Sequence, residues 1–295
     1  MILPEARSEV EQSLAFKTYD TEELADVYFF RPFGAIIARA ALACRSTPNQ
    51  VTFLAGVVGS VAGLLLYNER LGLCAFGLLI LHGVIDSADG QLARMTGHTT
   101  EVGFFFDGLS DYCTDAAICL GIAVGILHRG GSSSIIAWAL LANLCIGIQA
   151  MIYVCHRIAY SSVVAKGVVA ENDLPPVRTG LIGWLRAGYL LLQRCLISGQ
   201  VEIARVLHDR AIGSKVSDAD RVQYAHYFYW PKRGWNLLGA NTRFYAIGVL
   251  AWMHRLDLYF VFILVPMNVA ALTLWLRQRR ADRRFLAGLP SRISP

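Results

Sequence analysis

Six apolar runs, at about Val51–Tyr67, Leu71–Ile85, Gly103–Leu127, Ile135–Cys155, Leu237–Met253 and Leu258–Leu276, decide what this chain can fold into. They hold between 15 and 25 residues each. The shorter ones can borrow a turn from their flanks to cross a hydrocarbon core ~30 Å thick. Lipid offers no partner for backbone N–H and C=O groups, so each run has to satisfy its own as a helix. Composition agrees. With 55% hydrophobic and 17% charged residues and mean hydropathy +0.44, the chain is too apolar for an ordinary soluble domain. The expectation is an all-α integral membrane protein with six transmembrane helices, preceded by an N-terminal amphipathic juxtamembrane helix.

The charges between the runs predict its orientation. Six spans put both termini on one side. The far-side loops then hold only Arg70, Arg129 and Arg255, while the near side collects the other Lys and Arg residues. The near side is therefore expected to be cytoplasmic, as in a multi-pass protein of a bacterial inner membrane. The opening MILPEARSEVEQSLAFK carries acids where a signal peptide needs bases, so no cleavable signal is expected. Residues 1–45 read as a cytoplasmic N-terminus and interfacial helix. Within them, Thr21–Cys44 places Val27, Tyr28, Phe29, Phe30, Ile36, Ile37 and Leu42 against lipid, with Arg31, Arg39 and Arg45 toward phosphates; a soluble N-terminal helix is the alternative. Residues 46–295 read as the membrane domain.

A basic insertion at about 157–236 interrupts that domain. It holds no apolar run long enough to span, an amphipathic patch at Leu181–Ile197, and a mixed-charge stretch Glu202–Val222 expected as a solvated helix and loop. A structural or substrate-gating role is expected for it. The seven cysteines form no CxxC pair and read as packing residues. No basic–aromatic stripe favours nucleic acid over membrane.

Chemistry concentrates in DSADGQLARMTGHTTEVGFFFDGLSD, residues 86–111. Its spacing is D-x2-D-G-x2-A-R-x8-G-x3-D-x3-D: Asp86, Asp89, Gly90, Ala93, Arg94, Gly103, Asp107 and Asp111. The carboxylates stand at the ends of apolar helices, where an unpaired charge costs several kcal/mol. On helices, Asp86 and Asp89 share one face, as do Asp107 and Asp111. The linker Met95–Val102 is long enough to reverse the chain and bring the two pairs together. Carboxylate oxygens are hard ligands, and no Cys or His stands at ligand spacing, so Mg²⁺ or Mn²⁺ is expected rather than zinc. Four carboxylates exceed the needs of one ion. Two ions roughly 4 Å apart are therefore expected, as in two-metal phosphoryl transfer.

This spacing resembles the CDP-alcohol phosphotransferases, membrane enzymes that pass a substituted phosphoryl group from a CDP-linked donor to a hydroxyl and release CMP. The resemblance covers roughly Thr21–Ala159 and, more weakly, Gly239–Arg284. It implies Asp86, Asp89 and Asp107 as metal ligands, and Asp111 as both ligand and general base. Gly90, Ala93 and Gly103 would let a nucleotide approach helix backbone, or else serve tight helix packing. Arg94 would contact the diphosphate or pair with a carboxylate. In Thr47-Pro48-Asn49-Gln50-Val51-Thr52 the resemblance implies Asn49 and Thr52 as nucleotide contacts; the local reading makes Asn49 a helix cap. Arg157 and Arg243 would hold a phosphate on the acceptor, or act as snorkelling anchors. Asp115, a turn beyond Asp111, is expected to accept hydrogen bonds from a neighbouring helix rather than bind metal. His82 is expected to be a satisfied interior histidine. The resemblance also implies a homodimer.

The function that follows is phospholipid biosynthesis. The donor would be a CDP-alcohol, CDP-diacylglycerol first, and the acceptor a polar alcohol or a sugar or polyol phosphate. Alternatives are a soluble inositol-phosphate phosphodiester as product, transfer of a CDP-linked headgroup to a lipid hydroxyl, and a non-catalytic polytopic protein that kept the metal site.

Overall fold

The computed structural model describes residues 23–97, 101–169, 191–211 and 215–289, without the side chains of 101, 102 and 104. Among these residues the chain is helical and has no β-strand. A π-helical turn at Asp26–Phe30 leads into α1 (Arg31–Ala43), followed by α2 (Pro48–Leu65), α3 (Gly72–Thr96), α4 (Glu101–His128) and α5 (Ile135–Tyr160). A second π turn, Ser161–Lys166, prolongs α5. Then come α6 (Ser198–Arg210), α7 (Asp218–Trp235), α8 (Ala240–Trp252), α9 (Tyr259–Phe262) and, after a π turn at Ile263–Met267, α10 (Asn268–Gly288). Most of the Leu181–Ile197 patch lies outside the described residues.

Among the described residues, five stretches are long and apolar enough to cross a membrane: Pro48–Leu65, Glu69–Thr96, Phe105–His128, Ile135–Lys166 and Leu256–Gly288. The fifth expected run, Leu237–Met253, is not among them. It carries only α8, whose 13 residues rise about 20 Å. The helix is cut short at both ends: Gly239 is extended before it, and His254 turns left-handed after it, at φ +54°. Asn241 and Arg243 also lower the hydropathy of the run.

The chain divides into two compact units, Met1–Gly147 with Ala240–Asn268, and Ile148–Gly239 with Val269–Pro295. In the first unit α2 packs on both α3 and α4, while α1 and α8 pack on α3. Small residues make this possible. Gly63 on α2 faces the backbone of α4 at Ala117 and Ile118, and Gly121 of α4 faces the Gly63 carbonyl; a Cβ at either position would collide with main chain. Where side chains rather than lipid separate helices, they are apolar: Ala38, Val51, Ala55, Ile85, Ala88 and Leu92 close one cluster between α1, α2 and α3. Large apolar side chains such as Phe53, Leu73, Leu120 and Leu140 face outward. Such a surface is costly in water and ordinary in lipid.

Pro32, which cannot donate a backbone hydrogen bond, falls where the π turn Asp26–Phe30 passes into α1, at a change of helical register. The α1 segment is fixed to α3 by Gln91, whose Nε2 donates to the Arg31 carbonyl at 3.1 Å. Asn241 Nδ2 donates to Glu23 and Asp26, joining α8 to the segment before α1.

In the second unit the insertion helices α6 and α7 share a core with the end of α5 and with α10. Tyr160, Val163, Ile203, Leu207, Tyr224, Phe228 and Phe285 fill it. A polar network crosses the same core. Gln200 and Gln278 both donate to Asp282 Oδ1, at 2.7 and 2.9 Å; Tyr224 donates to Gln200 and Trp235 to Gln278. Burial among these groups pushes the Tyr224 phenol above its usual range. Glu202–Val222 is thus not wholly solvated: Ile203, Leu207 and Asp220 turn inward. Its 3.6-residue pattern was too short, and too diluted by charge, to show from sequence.

Candidate metal centre

The first unit brings the motif together at one end of α3 and α4. On α3, Asp86 and Asp89 stand one turn apart. Gly97 then ends the helix in the left-handed conformation, φ +68°, which glycine adopts without strain. On α4 stands Asp107. One oxygen from each of Asp86, Asp89 and Asp107 lies within 4.8 Å of the other two. Like charges so close repel unless a cation separates them. Asp89 is buried, 6% exposed, yet its Oδ2 accepts no hydrogen bond from the described residues. Buried carboxylate oxygens are normally satisfied. An all-oxygen, acidic donor set with an open lone pair fits a hard divalent cation and does not discriminate Mg²⁺ from Mn²⁺.

Asp111, one turn further along α4, is placed differently. It is half-exposed, and its Oδ1 lies 3.6 Å from Nε2 of His82, which is buried on α3. His82 Nδ1 is 2.9 Å from the Ala55 carbonyl on α2. A carbonyl only accepts, so Nδ1 carries a proton, the ring cannot rotate freely, and Nε2 is aimed at Asp111. His82 is the satisfied interior histidine expected, but one edge of it faces the motif. The signal for that role was its position one turn before Asp86, on the same face of α3.

The Asn49 cap is corrected. Thr47 caps α2: its Oγ1 accepts from Gln50 N, while Gln50 Oε1 accepts from Thr47 N, a capping box with Pro48 at the first helical position. Asn49 lies within the first turn, exposed. Thr52 is buried and donates to the Pro48 carbonyl at 3.1 Å, and its side chain adjoins Asp89. Ser110, just before Asp111, donates to the Thr52 carbonyl at 3.4 Å, so α2 and α4 are joined at the level of the cluster.

Gly90 separates the two readings offered for the small residues. A Cβ there would meet only Arg94 Nη1, at 3.5 Å, with no atom of a neighbouring helix within 4 Å among the described residues. It is not a packing glycine of the Gly63 kind. Ala93 and Arg94, the next turn of α3, are half-buried, as is Gly103 on α4.

The remaining residues lie elsewhere. Arg243 on α8 is 3% exposed and grips Asp115 with two donors, Nε to Oδ1 at 3.3 Å and Nη2 to Oδ2 at 2.9 Å. Asp115 accepts from a neighbouring helix, as expected. Arg157, in the second unit, is half-buried over the Tyr153 ring, 5.4 Å from its centroid. Two of the three arginines assigned to the far side pair with acids, Arg129 with Glu69 at 3.0 Å and Arg255 with Asp257 at 3.0 Å. The cysteines are all free.

Comparison with known proteins gives this geometry its context. The profile of the CDP-alcohol phosphatidyltransferase family matches residues 45–208, more than half of the chain. The chain is 36% identical over 83 residues to archaetidylinositol phosphate synthase of Pyrococcus horikoshii, covering 28% of this chain and 44% of that protein. It is 28% identical over 198 residues to phosphatidylinositol phosphate synthase of Corynebacterium glutamicum, covering 61% and 90%. The same figure holds over 194 residues with phosphatidylinositol phosphate synthase of Streptomyces avermitilis, covering 65% and 75%. The aspartate cluster on α3 and α4 falls inside the matched region, and the chain belongs to the CDP-alcohol phosphatidyltransferase family.

Proposed function

We propose that this chain transfers a phosphatidyl group from CDP-diacylglycerol to the hydroxyl of a phosphate-bearing polyol, releasing CMP, as a step of phospholipid synthesis. The observation that carries this reading is the close approach of Asp86, Asp89 and Asp107 with an open oxygen on Asp89. Held by these three, with Asp111 completing the set, two divalent ions would offset the charge of the donor diphosphate and of the departing CMP.

The chain's own residues do the rest. Asn49 and Thr52 on α2, and the open shelf at Gly90, Ala93 and Gly103, receive the nucleotide. Arg94 lies along the same shelf and meets the diphosphate. Asp111 takes the proton of the acceptor hydroxyl as its oxygen forms a bond to the distal phosphorus. The P–O bond to CMP breaks, and CMP keeps the electron pair. His82, anchored on Ala55, positions the Asp111 carboxylate for this transfer. Of the two acceptor candidates, the burial of Arg243 on Asp115 favours a framework role for it. Arg157 is then assigned to the acceptor's phosphate. The names of the relatives, synthases of inositol phosphate lipids, support an inositol phosphate acceptor.

In the membrane, α8 with its flanking turns would complete six crossings. Its Gly248 packs on Phe76 and its Ala251 on Gly72, so it follows α3. Both termini and the metal centre would then face the cytoplasm, and the segment before α1 would lie at the interface. CMP release from CDP-diacylglycerol, measured with inositol phosphate, glycerol phosphate and free inositol, with and without EDTA, tests the proposal. Metal-dependent release with a phosphorylated acceptor is expected; no release with any acceptor, in protein shown to be folded, would overturn it.

A further inference from the structure

The second unit carries a basic groove that the reaction does not use. It lies between α7 and α10 and is lined by His226, Tyr227 and Pro231 from α7 and by Arg277, Arg280 and Arg284 from α10. The spacing of the arginines, i, i+3 and i+7, puts them on one helix face. The opposite face of α10 buries Gln278, Asp282 and Phe285. All three arginines are exposed, and none forms an ion pair with a described residue. The neighbouring Arg279, by contrast, is stacked on Trp275, 4.5 Å from its centroid. Three unneutralised guanidiniums along one groove form a binding surface for an oxyanion, and guanidinium suits the geometry of phosphate.

A second observation says where that phosphate comes from. Beside the groove, the outward ridge of α7 runs Val222, His226, Trp230 at i, i+4, i+8, with Val222 71% and Trp230 74% exposed. No described side chain covers this ridge. An indole next to cations is the side-chain pattern of a membrane interface. The groove also begins where the apolar part of the last span ends, at Leu276. Arg277 to Arg284 then covers only about 10 Å of helix, the depth of a headgroup layer.

We propose that the α7–α10 groove binds the headgroup phosphate of an anionic phospholipid in the leaflet from which α10 emerges, with Trp230 seated at the acyl boundary. The insertion helix α7 would thereby be held to the membrane surface. This rests on reading Leu256–Leu276 as a span and not on the identity of the reaction.

The test uses the full chain in neutral detergent, titrated with phosphatidylglycerol, with phosphatidylcholine, and with inorganic phosphate. Retained lipid is counted by native mass spectrometry and stabilisation by thermal unfolding. Phosphatidylglycerol should bind and stabilise, with the other two weak. The triple variant Arg277→Gln, Arg280→Gln, Arg284→Gln should weaken phosphatidylglycerol binding by on the order of 100-fold. The triple change to lysine should keep most of it. Lipid binding should persist in Asp107→Asn, which separates the groove from the metal centre. CMP release by the glutamine triple in phosphatidylcholine should match the parent. Equal phosphatidylglycerol binding by the glutamine triple would sink the proposal, as would loss of binding in Asp107→Asn. Inorganic phosphate binding as tightly as the lipid would overturn the membrane source. If the glutamine triple does not fold, Trp230→Ala decides: unchanged lipid retention rejects the assignment.

Discussion

Two layers of carboxylate on α4 receive opposite treatment. Asp115 meets Arg243 in a two-point contact with both partners buried. Two turns earlier, Asp107 joins Asp86 and Asp89 in a group of three acids whose Asp89 keeps an oxygen unsatisfied. The same apolar helix supplies both layers, so the environment alone does not explain the difference. Where the fold needs a carboxylate for itself, it provides the counter-charge from its own sequence. Where acids face one another, as Asp86, Asp89 and Asp107 do, the proposed reaction has a bound divalent cation supply the balancing charge.

The sharpest way to break this contrast is to remove an acid from each layer. Asp107→Asn should lower CMP release by roughly 10³-fold, the scale of losing one preorganised charge-stabilising group. Its melting temperature without metal should hold or rise, because a repulsion has been relieved. Asp115→Asn should do the reverse and destabilise the protein by about 3–5 kcal/mol, since it strands a buried guanidinium. Pairing Asp115→Leu with Arg243→Met should recover most of that loss in thermal unfolding, and failure to recover would give Arg243 a task beyond Asp115. Between the layers, His82→Gln should cut kcat by about 10–100-fold with little change in metal affinity. An equal drop in metal affinity would move His82 from positioning the base to organising the ligands. The smallest effect distinguishes the glycines. Gly90→Ala should leave stability level or raise it by up to about 1 kcal/mol while raising KM for the CDP donor. Gly63→Ala should destabilise by about 1–3 kcal/mol.

How much of this was legible in the sequence follows from the range of each interaction. Apolar run length and motif spacing are local, so α2 to α5, the α3–α4 reversal and the three clustered aspartates were readable. Thr47 as the cap was readable too, since Gln50 completes its box; Pro48 and Asn49 drew attention one and two residues too far along. The pairing of Asp115 with Arg243 spans 128 positions, and only the oddity of a buried acid hinted that some partner existed. His82 was legible as a satisfied interior histidine, but not its aim at Asp111, because the Ala55 carbonyl that orients it carries no side-chain signature. The truncation of α8 depends on backbone turns at Gly239 and His254, which hydropathy does not register. The insertion was opaque because α6 and α7 bury their inner faces around a polar network, and neither the amides nor Asp282 look like core residues in a linear reading.

The main-chain contact at Gly63 and Gly121 has a consequence for how relatives can diverge. With no side chain between them, α2 and α4 touch main chain to main chain, and their separation at this level is set by peptide geometry. Substitution cannot tune it. A lineage reshaping this bundle would have to act on the other contacts of α3, where the π turn before α1, α1 itself and α8 lean on it through replaceable side chains such as Phe30, Gln91 and Phe76.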